Sequence, residues 1–365
     1  MQQTDLFSKG FPTNRIPVTI PSTGQDIVLR ETTVIELKSM AKTVIDNLGR
    51  RQMNVIYDAA TEYLQSMILT DGVDLKSLTE FDRLYMMMVF FQMSFYKDPI
   101  TYQCPHCGVE IVYRYDIVRY IQKMGEPEVY VEDQVVRSPY KNRLYEMTIG
   151  WPTVATMSKL MNHFYNNLGQ VTEEMERTQY GINFVLAFIK KVSVFNMMDD
   201  NRLEATIELE QIEDWSGRMD CINALPSMVV FDEKSGIFSQ ITGYFINRLE
   251  NCFGSETCPQ CHKETNYGLP QSSLFNSFFY GSLQSIYAFL MKVECLMVFR
   301  YGCCIFDKEP YMTYNDLNTL IHQIGVTMEK ENDERKKMNR DNFTKGLWYI
   351  REILNTMIFP QDKQK

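Results

Sequence analysis

The sequence lacks an excess of basic residues, and it lacks long apolar runs. Its 365 residues include 37 Lys and Arg against 46 Asp and Glu, which gives a net charge of −9. Without a basic field, counterion release cannot drive strong phosphate binding, so we do not expect nucleic acid as the main partner. The longest apolar run, residues 84–91, is much shorter than the roughly 20 residues that a membrane-spanning helix needs. We therefore expect no transmembrane segment.

Signatures of common enzyme classes are also missing. The chain has no glycine-rich phosphate loop, no His-Glu-x-x-His and no Gly-x-Ser-x-Gly. We therefore expect a protein that is not an enzyme and has no small-molecule substrate. The amino terminus does not show a charged segment followed by an apolar one, so we expect no signal peptide and a reducing, cytosolic origin.

Nine cysteines, an odd number, are present. In a reducing compartment they are not expected to form a disulfide framework. Five of them show no ligand spacing and are predicted to be ordinary buried or half-buried thiols: Cys221, Cys252, Cys295, Cys303 and Cys304.

The other four cysteines form two similar turns, Cys104-Pro-His-Cys107-Gly108 and Cys258-Pro-Gln-Cys261-His262. A tight CxxC turn directs two thiolates at one point about 2.3 Å away, and a tetrahedral site needs two such turns. We therefore predict one structural zinc ion bound by Cys104, Cys107, Cys258 and Cys261. Iron in the same ligands and the absence of any metal are the alternatives.

Two other interpretations of the CxxC turns receive less support. A local site of Cys252, Cys258, Cys261 and His262 has awkward spacing. Thioredoxin-like redox chemistry requires the motif at a helix amino terminus, which lowers the pKa of the first thiol. Alternating residues at 100–103 and 109–115 instead predict strands on both sides of the first turn.

A repeated order of elements accounts for the 150 residues between Cys107 and Cys258. Residues 15–20 and 25–29 predict a hairpin, and Thr33 with Glu36 predicts a capping box at the start of a helix. Adding 120 to these numbers reaches Thr153 and a similar apolar helical face. A second hairpin is predicted from residues 129–131 and 143–149, with a turn at 138–142.

Further elements recur in the same order. A second helix is predicted in each half, from residues 55–67 and from Val185, Phe188, Ile189 and Val192. The apolar spacing of residues 73–81 then recurs at 207–215, and the cysteine turns recur 154 residues apart. Because loops tolerate insertions, the growing offset is compatible with a duplicated unit.

We therefore predict an α+β protein that is mostly helical. Its two related units, 1–125 and 126–270, each contain a small β-hairpin and a CPxC knuckle hairpin. The third region, 271–365, is predicted to be helical, with apolar faces at 283–297, 317–328 and 347–357 and a capping pair at Thr313 and Asp316.

Several short motifs resemble the baseplate hub proteins of T-even-like contractile-tailed bacteriophages. They are LTEFDRL at 78–84, the first cysteine turn with the strand after it, and a helix around Glu294 followed by residues 311–324. The resemblance covers residues 73–117 and 283–337.

This resemblance implies a structural or assembly role, with other hub proteins or the tape-measure protein as partners in a multi-subunit assembly. It also implies a location in the host cytoplasm during assembly and in the virion tail baseplate. The alternative from another class is a zinc-ribbon adaptor protein in nucleic-acid metabolism.

Overall fold

The computed structural model describes residues 14–48, 50–94, 100–104, 106–113, 117–167, 172–199, 202–233, 235–253, 255–266, 286–295, 312–313, 316–317 and 319–323. These residues form helices and antiparallel strands, which confirms the predicted α+β class. The chain divides into a smaller unit, with residues 32–39 and the part after 284, and a larger unit, residues 14–31 and 40–284. The predicted boundaries at 125 and 270 stay a prediction.

Ten strands form one four-stranded and three two-stranded antiparallel sheets, β1–β2, β3–β4, β9–β10 and β5–β6–β7–β8, among the described residues. Their bounds are β1 Arg15–Thr19, β2 Asp26–Arg30, β3 Ile100–Gln103, β4 Glu110–Tyr113, β5 Gln134–Tyr140, β6 Arg143–Ile149, β7 Ile189–Asn196, β8 Arg202–Glu208, β9 Ser255–Thr257 and β10 Glu264–Asn266.

The α-helices with defined bounds are α1 Val34–Leu48, α2 Met53–Met67, α3 Glu80–Ser94, α4 Ile117–Met124, α5 Val154–Asn166, α6 Glu173–Leu186, α7 Trp215–Asn223, α8 Ser227–Phe231, α9 Ile237–Ile241 and α10 Asn247–Phe253. Short 3-10 helices cover Leu75–Ser77 and Leu209–Gln211, and a π-helix covers Thr242–Ile246. Within the described ranges, no helix is both long and apolar enough to cross a bilayer.

Threonine caps start several helices, because a threonine hydroxyl can accept from a backbone N–H that has no helical partner. The predicted box at α1 is confirmed: the Thr33 N–H donates to Glu36 at 2.9 Å, and the Glu36 N–H donates to the Thr33 hydroxyl at 3.3 Å. At α5 the Thr153 hydroxyl accepts from the Thr156 N–H at 3.1 Å, without the carboxylate that completes a capping box.

The order of elements recurs within the larger unit. After β1, β2, α1 and α2 the chain returns to β2, where Ile68 bridges to Leu29. After β5, β6, α5 and α6 it returns to β6, where Ile189 pairs with Ile149. A 3-10 helix and then a helix, α3 or α7, follow each return. The β7–β8 hairpin lengthens the second copy between the return and its 3-10 helix.

Two local predictions in the second copy are wrong. The strand expected at 129–131 lies at Gln134–Tyr140, and the strand therefore includes Pro139, which the edge position of β5 permits. The helical face expected through Ile189 and Val192 is a strand, because α6 ends at Leu186 and β7 begins at Ile189. A spacing of three residues fits a short strand with a register shift as well as it fits a helix.

The core of the larger unit centres on Trp151, which is 1% exposed. Its ring lies 5.2 Å from Phe81, 4.9 Å from Phe188 and 5.9 Å from Phe245, measured between ring centroids. These tilted and edge contacts bring residues from both copies of the repeated order into one core.

The smaller unit contains the start of α1 and two further helical stretches, residues 286–295 and 316–323 without 318. The Val34 N–H donates to the Met312 carbonyl at 2.7 Å. The predicted capping pair is confirmed, since the Thr313 N–H donates to Asp316 at 3.0 Å. Glu294 forms an ion pair with Lys38. The predicted face at 347–357 lies outside the described residues.

Candidate metal centre

The first cysteine turn closes the β3–β4 hairpin, as predicted. Gln103 pairs with Glu110 at the end of the ladder. Beyond it, the Cys104 N–H donates to the Val109 carbonyl and the Gly108 N–H donates to the Cys104 carbonyl, both at 2.8 Å. Gly108 has φ +72°, a left-handed conformation that glycine adopts without a steric cost. This turn holds Cys104 and Cys107 on one side of the hairpin tip.

The second turn repeats this geometry at the tip of the β9–β10 hairpin. The Cys258 N–H donates to the Lys263 carbonyl, and the His262 N–H donates to the Cys258 carbonyl, both at 2.9 Å. Cys258, His262 and Lys263 each lie 154 positions after the equivalent residue of the first turn. The left-handed position is occupied by His262, with φ +55°, where the first turn has glycine. The two knuckles therefore share one hydrogen-bonding pattern.

The four sulfur atoms of the knuckles lie together, all within 4.8 Å of one another. The Sγ atoms of Cys104 and Cys261 are 3.8 Å apart, and those of Cys107 and Cys258 are 3.6 Å apart. A tetrahedron with metal–sulfur bonds of about 2.3 Å has edges of about 3.8 Å. The four thiols therefore fit a tetrahedral metal ion.

Burial differs between the inner and outer sulfurs of this four-cysteine cluster. Cys104 and Cys258 are buried, at 2% and 0% exposed, and Val109 packs against them. Cys107 is exposed and Cys261 is intermediate. The Cys261 N–H donates to the Cys258 sulfur at 3.5 Å, a contact that favours the thiolate. The first cysteine of each turn thus lies on the dry side of the cluster.

Electrostatics in the cluster favour some thiolates and oppose others. Desolvation disfavours the Cys104 thiolate, but hydrogen bonds from the His106 and Cys107 N–H groups and nearby thiols outweigh it and lower the pKa of Cys104 to about 6. The Val109 N–H favours the thiolate of Cys107, but desolvation and the three neighbouring sulfurs raise the pKa of Cys107 to about 12. Four thiolates at this spacing repel one another, and a central divalent cation would relieve the repulsion.

Among the described residues, Cys221, Cys252, Cys295 and the nearby histidines are not part of the cluster. Cys252 is buried, and its thiol contacts the Arg248 carbonyl at 3.4 Å. Burial raises the pKa of Cys252 to about 11, which makes it a poor thiolate ligand. His106 and His262 are exposed.

The burial predicted for the five other cysteines is partly correct. Cys252 is buried and Cys221 is intermediate, as expected. Cys295 is exposed, so the prediction for it is wrong. It occupies a helical position outside the apolar stripe formed by Ile286, Leu290 and Val293, which are buried. Cys303 and Cys304 lie outside the described residues.

A buried polar cluster at the start of α3 was not predicted as such. The Arg83 guanidinium donates to both carboxylate oxygens of Glu80, at 2.7 and 2.9 Å, and lies 4.2 Å from the centroid of the Tyr57 ring. The Tyr57 hydroxyl donates to Glu80 at 2.6 Å. Burial raises the pKa of Tyr57 well above its ordinary value. The sequence signal was the LTEFDRL motif, in which an acid and a base stand one helical turn apart.

A second polar network joins α2 of the first copy to α5 of the second. Asp58 accepts from the Ser158 hydroxyl at 2.6 Å and from the Asn162 amide at 3.1 Å. The Asn54 amide donates to Asn162 at 3.0 Å. Such networks penalise other packings of the same helices, because those would leave polar groups unpaired.

Comparison with known proteins gives one family. The family described as T4 bacteriophage base plate protein matches residues 13–223, more than half of the chain. No curated protein and no solved structure matches the chain. The match includes Cys104 and Cys107 and ends before Cys258 and Cys261.

Proposed function

Because this chain belongs to the family of T4 bacteriophage base plate proteins, we propose that it is a structural or assembly protein of the tail baseplate hub. In this role it binds other hub subunits or the tape-measure protein, assembles in the host cytoplasm and enters the virion tail baseplate. The family match is the observation that carries the proposal. The family is described as a base plate protein, which supports a structural rather than an enzymatic role.

The metal centre supports this role because a bound ion would hold the two knuckle hairpins in a fixed arrangement. We propose that the four-cysteine cluster holds a structural zinc ion, with iron in the same four thiolates as the alternative. A closed set of four thiolates leaves no open position for substrate or water, as in structural rather than catalytic zinc sites. When bound, zinc supplies a cross-link between two hairpins that the chain separates by about 150 residues. Its binding energy then contributes to the free energy of folding.

Apolar side chains at the end of the four-stranded sheet that contains the β7–β8 turn support binding to other proteins. Met198 is 77% exposed in the turn after β7, and Leu203 in β8 is 52% exposed. Leu203 pairs across the ladder with Phe195, which pairs with Leu144. We call these residues, with the exposed Met197, the hairpin-tip patch, in which Phe195 and Leu144 are half-buried. Apolar surface of this kind is typical of the centre of protein interfaces.

The experiment that tests the function is mass spectrometry of purified virions and of baseplate intermediates from infected cells. The expected result is the chain in the intermediates that contain hub proteins. Its absence from both fractions would reject the hub role. A zinc-ribbon adaptor in nucleic-acid metabolism predicts DNA or RNA binding that weakens steeply with salt, whereas the hub role predicts none.

A further inference from the structure

A groove in the larger unit runs beside β1. It encloses about 810 Å³, and its walls are β1, helix α3 and the carboxyl end of α4 with the loop that follows. Tyr85 and Val89 come from α3, Ile121 comes from α4, and Glu126 comes from the loop. The groove is therefore bounded by a strand on one side and by helices on the other.

The groove borders the edge of β1 rather than one face of it. All six consecutive residues 16–21 line it. Because neighbouring strand residues point to opposite faces, a cavity that touches all six must follow the backbone. Among the described residues β1 pairs only with β2, so Pro17 and Thr19 have no ladder partner on their other side there.

The register shows which backbone groups face the groove. The Ile20 N–H donates to the Gln25 carbonyl, and hydrogen-bonded pairs then alternate along the hairpin. The groups of Val28, the partner of Pro17, point the other way, since the Val28 carbonyl accepts from Leu69 at 2.8 Å. Pro17 and Thr19 therefore direct their backbone groups away from β2.

The proline limits what can pair with this edge. Pro17 offers a carbonyl but no N–H, so an added strand gains an incomplete ladder. Natural edge strands use proline in this way to prevent indiscriminate pairing. Specificity at this edge must then come from the side chains in the groove wall, which are mostly apolar.

The one charged side chain among the residues that line the groove is acidic: it is Glu126, which is exposed. Burial, and then the charge of Asp82 and neighbouring carboxylates, raise the pKa of the groove residue Tyr130 to about 12. An apolar ligand with a basic group matches both the walls and this field.

We propose that the groove binds an extended segment of a neighbouring baseplate protein, which adds to β1 as a further strand. The segment carries apolar side chains at alternate positions and a lysine or arginine that reaches Glu126. A groove between an edge strand and a helix is a recurring way to bind an extended peptide. This inference rests on the proposed structural role in the baseplate and names the kind of contact that it uses.

The test is binding of a fluorescein-labelled octapeptide library in which Val, Ile, Leu or Phe alternates with Lys or Arg. A reference library carries Asp or Glu in place of the basic residues. Fluorescence anisotropy with the purified full chain is expected to show binding of the basic library only. Equal binding of both libraries, or of neither, would overturn the proposal.

Three variants locate the binding. Ile121→Trp fills the groove without changing charge and is expected to weaken binding by about tenfold or more, equivalent to at least about 1.4 kcal/mol. Glu126→Lys should weaken it about two- to fivefold beyond Glu128→Lys, the range of a partly exposed ion pair. Glu128 is also exposed but does not line the groove, so it is the matched control.

Thermal melts by circular dichroism check that each variant folds. Unchanged binding by folded Ile121→Trp, or equal effects of the two charge reversals, would contradict the site. Loss of self-association in Ile121→Trp would instead identify a second copy as the occupant and would also overturn it. Because peptide binding is measured without phage, it can fail while the chain is still found in baseplate intermediates, and the reverse.

Discussion

At the scale of single residues, the cysteines of the two knuckles make the clearest prediction. Cys104→Ser and Cys258→Ser should each abolish stoichiometric zinc binding, because three thiolates with one hydroxyl hold the ion much less tightly. Metal analysis of the purified variants measures this. Cys252→Ser removes a buried thiol outside the cluster and is the control, with zinc retained. A Cys104 or Cys258 variant that keeps one tightly bound zinc would reject the shared site.

At His262 we predict a substitution that tightens zinc binding rather than weakening it. Its left-handed backbone costs a residue with a Cβ roughly 1–2 kcal/mol, whereas Gly108 at the equivalent position has no such cost. His262→Gly should therefore tighten zinc binding, by about two- to fivefold once the greater freedom of unfolded glycine is subtracted. Competition with a chromogenic chelator measures the affinity.

The control for this change is His262→Ala, which removes the imidazole and keeps the Cβ. No gain is expected from it. Equal gains from alanine and glycine would show that the ring, not the backbone, limits the site. Gly108→Ala should weaken zinc binding for the same backbone reason.

A substitution in the buried pair of Glu80 and Arg83 is expected to cause a large loss of stability. Their side chains are 5% and 6% exposed. Glu80→Gln removes the carboxylate that accepts two hydrogen bonds from the buried guanidinium and should lower the free energy of unfolding by about 3 kcal/mol. Urea denaturation measures the change. The exposed pair of Arg137 and Glu146 is the control, since Glu146→Gln should cost at most about 1 kcal/mol. Similar losses in both variants would contradict a special role for burial.

At the scale of elements, the β7–β8 hairpin is an addition to the second copy that ends in the hairpin-tip patch. Aspartate at Met198 and Leu203 together should change the free energy of unfolding by only about 0.5 kcal/mol per site, because both side chains are exposed. The double variant should nevertheless enter baseplate intermediates poorly. Quantitative mass spectrometry of these intermediates measures incorporation.

Met175→Asp is the matched control for this patch. Met175 is 50% exposed and belongs to α6 rather than to the sheet. It is expected to be incorporated normally. Normal incorporation of the Met198 and Leu203 double variant would show that the patch is not an assembly surface.

Elements with local signals were predictable from sequence, and elements defined by distant partners were not. The Thr33 box, the first hairpin and the strands around Cys104 depend on neighbours within a few residues, and the structure confirms them. The strand at Ile189 depends on Ile149, 40 residues away, so its pattern could be taken for a helix. For the same reason, the motif alone did not predict the hydrogen bond between Tyr57 and Glu80.

The candidate site itself was predictable because it occurs twice. Each knuckle showed half of a tetrahedral ligand set, and the repeated order of elements suggested that the halves meet. The structure brings the four sulfurs within 4.8 Å of one another. The groove beside β1 had no such signal, since its walls come from residues 16–21, 85–89 and 121–130 and no motif links them.

At the scale of the whole molecule, zinc is expected to stabilise the larger unit as one cooperative body. The two knuckles close a loop of about 150 residues, and cross-linking a loop of that length is worth about 5 kcal/mol in chain entropy. Chelation at neutral pH should therefore lower the melting temperature in calorimetry, and added zinc should restore it. A melting temperature that chelation leaves unchanged would contradict the structural role of the ion.

The separation of the two knuckles in the sequence also determines when the metal site can form during synthesis. Cys258 follows Cys104 by 154 positions, so at about 5–20 residues per second the ribosome delivers the second half of the site roughly 8–30 seconds after the first. During that interval Cys104 and Cys107 offer only two thiolates, and the residues between the two turns in the sequence are still being synthesised. When the proposed zinc binds, completion of the site would cross-link the two hairpins, and a partner present earlier would meet a chain without this cross-link.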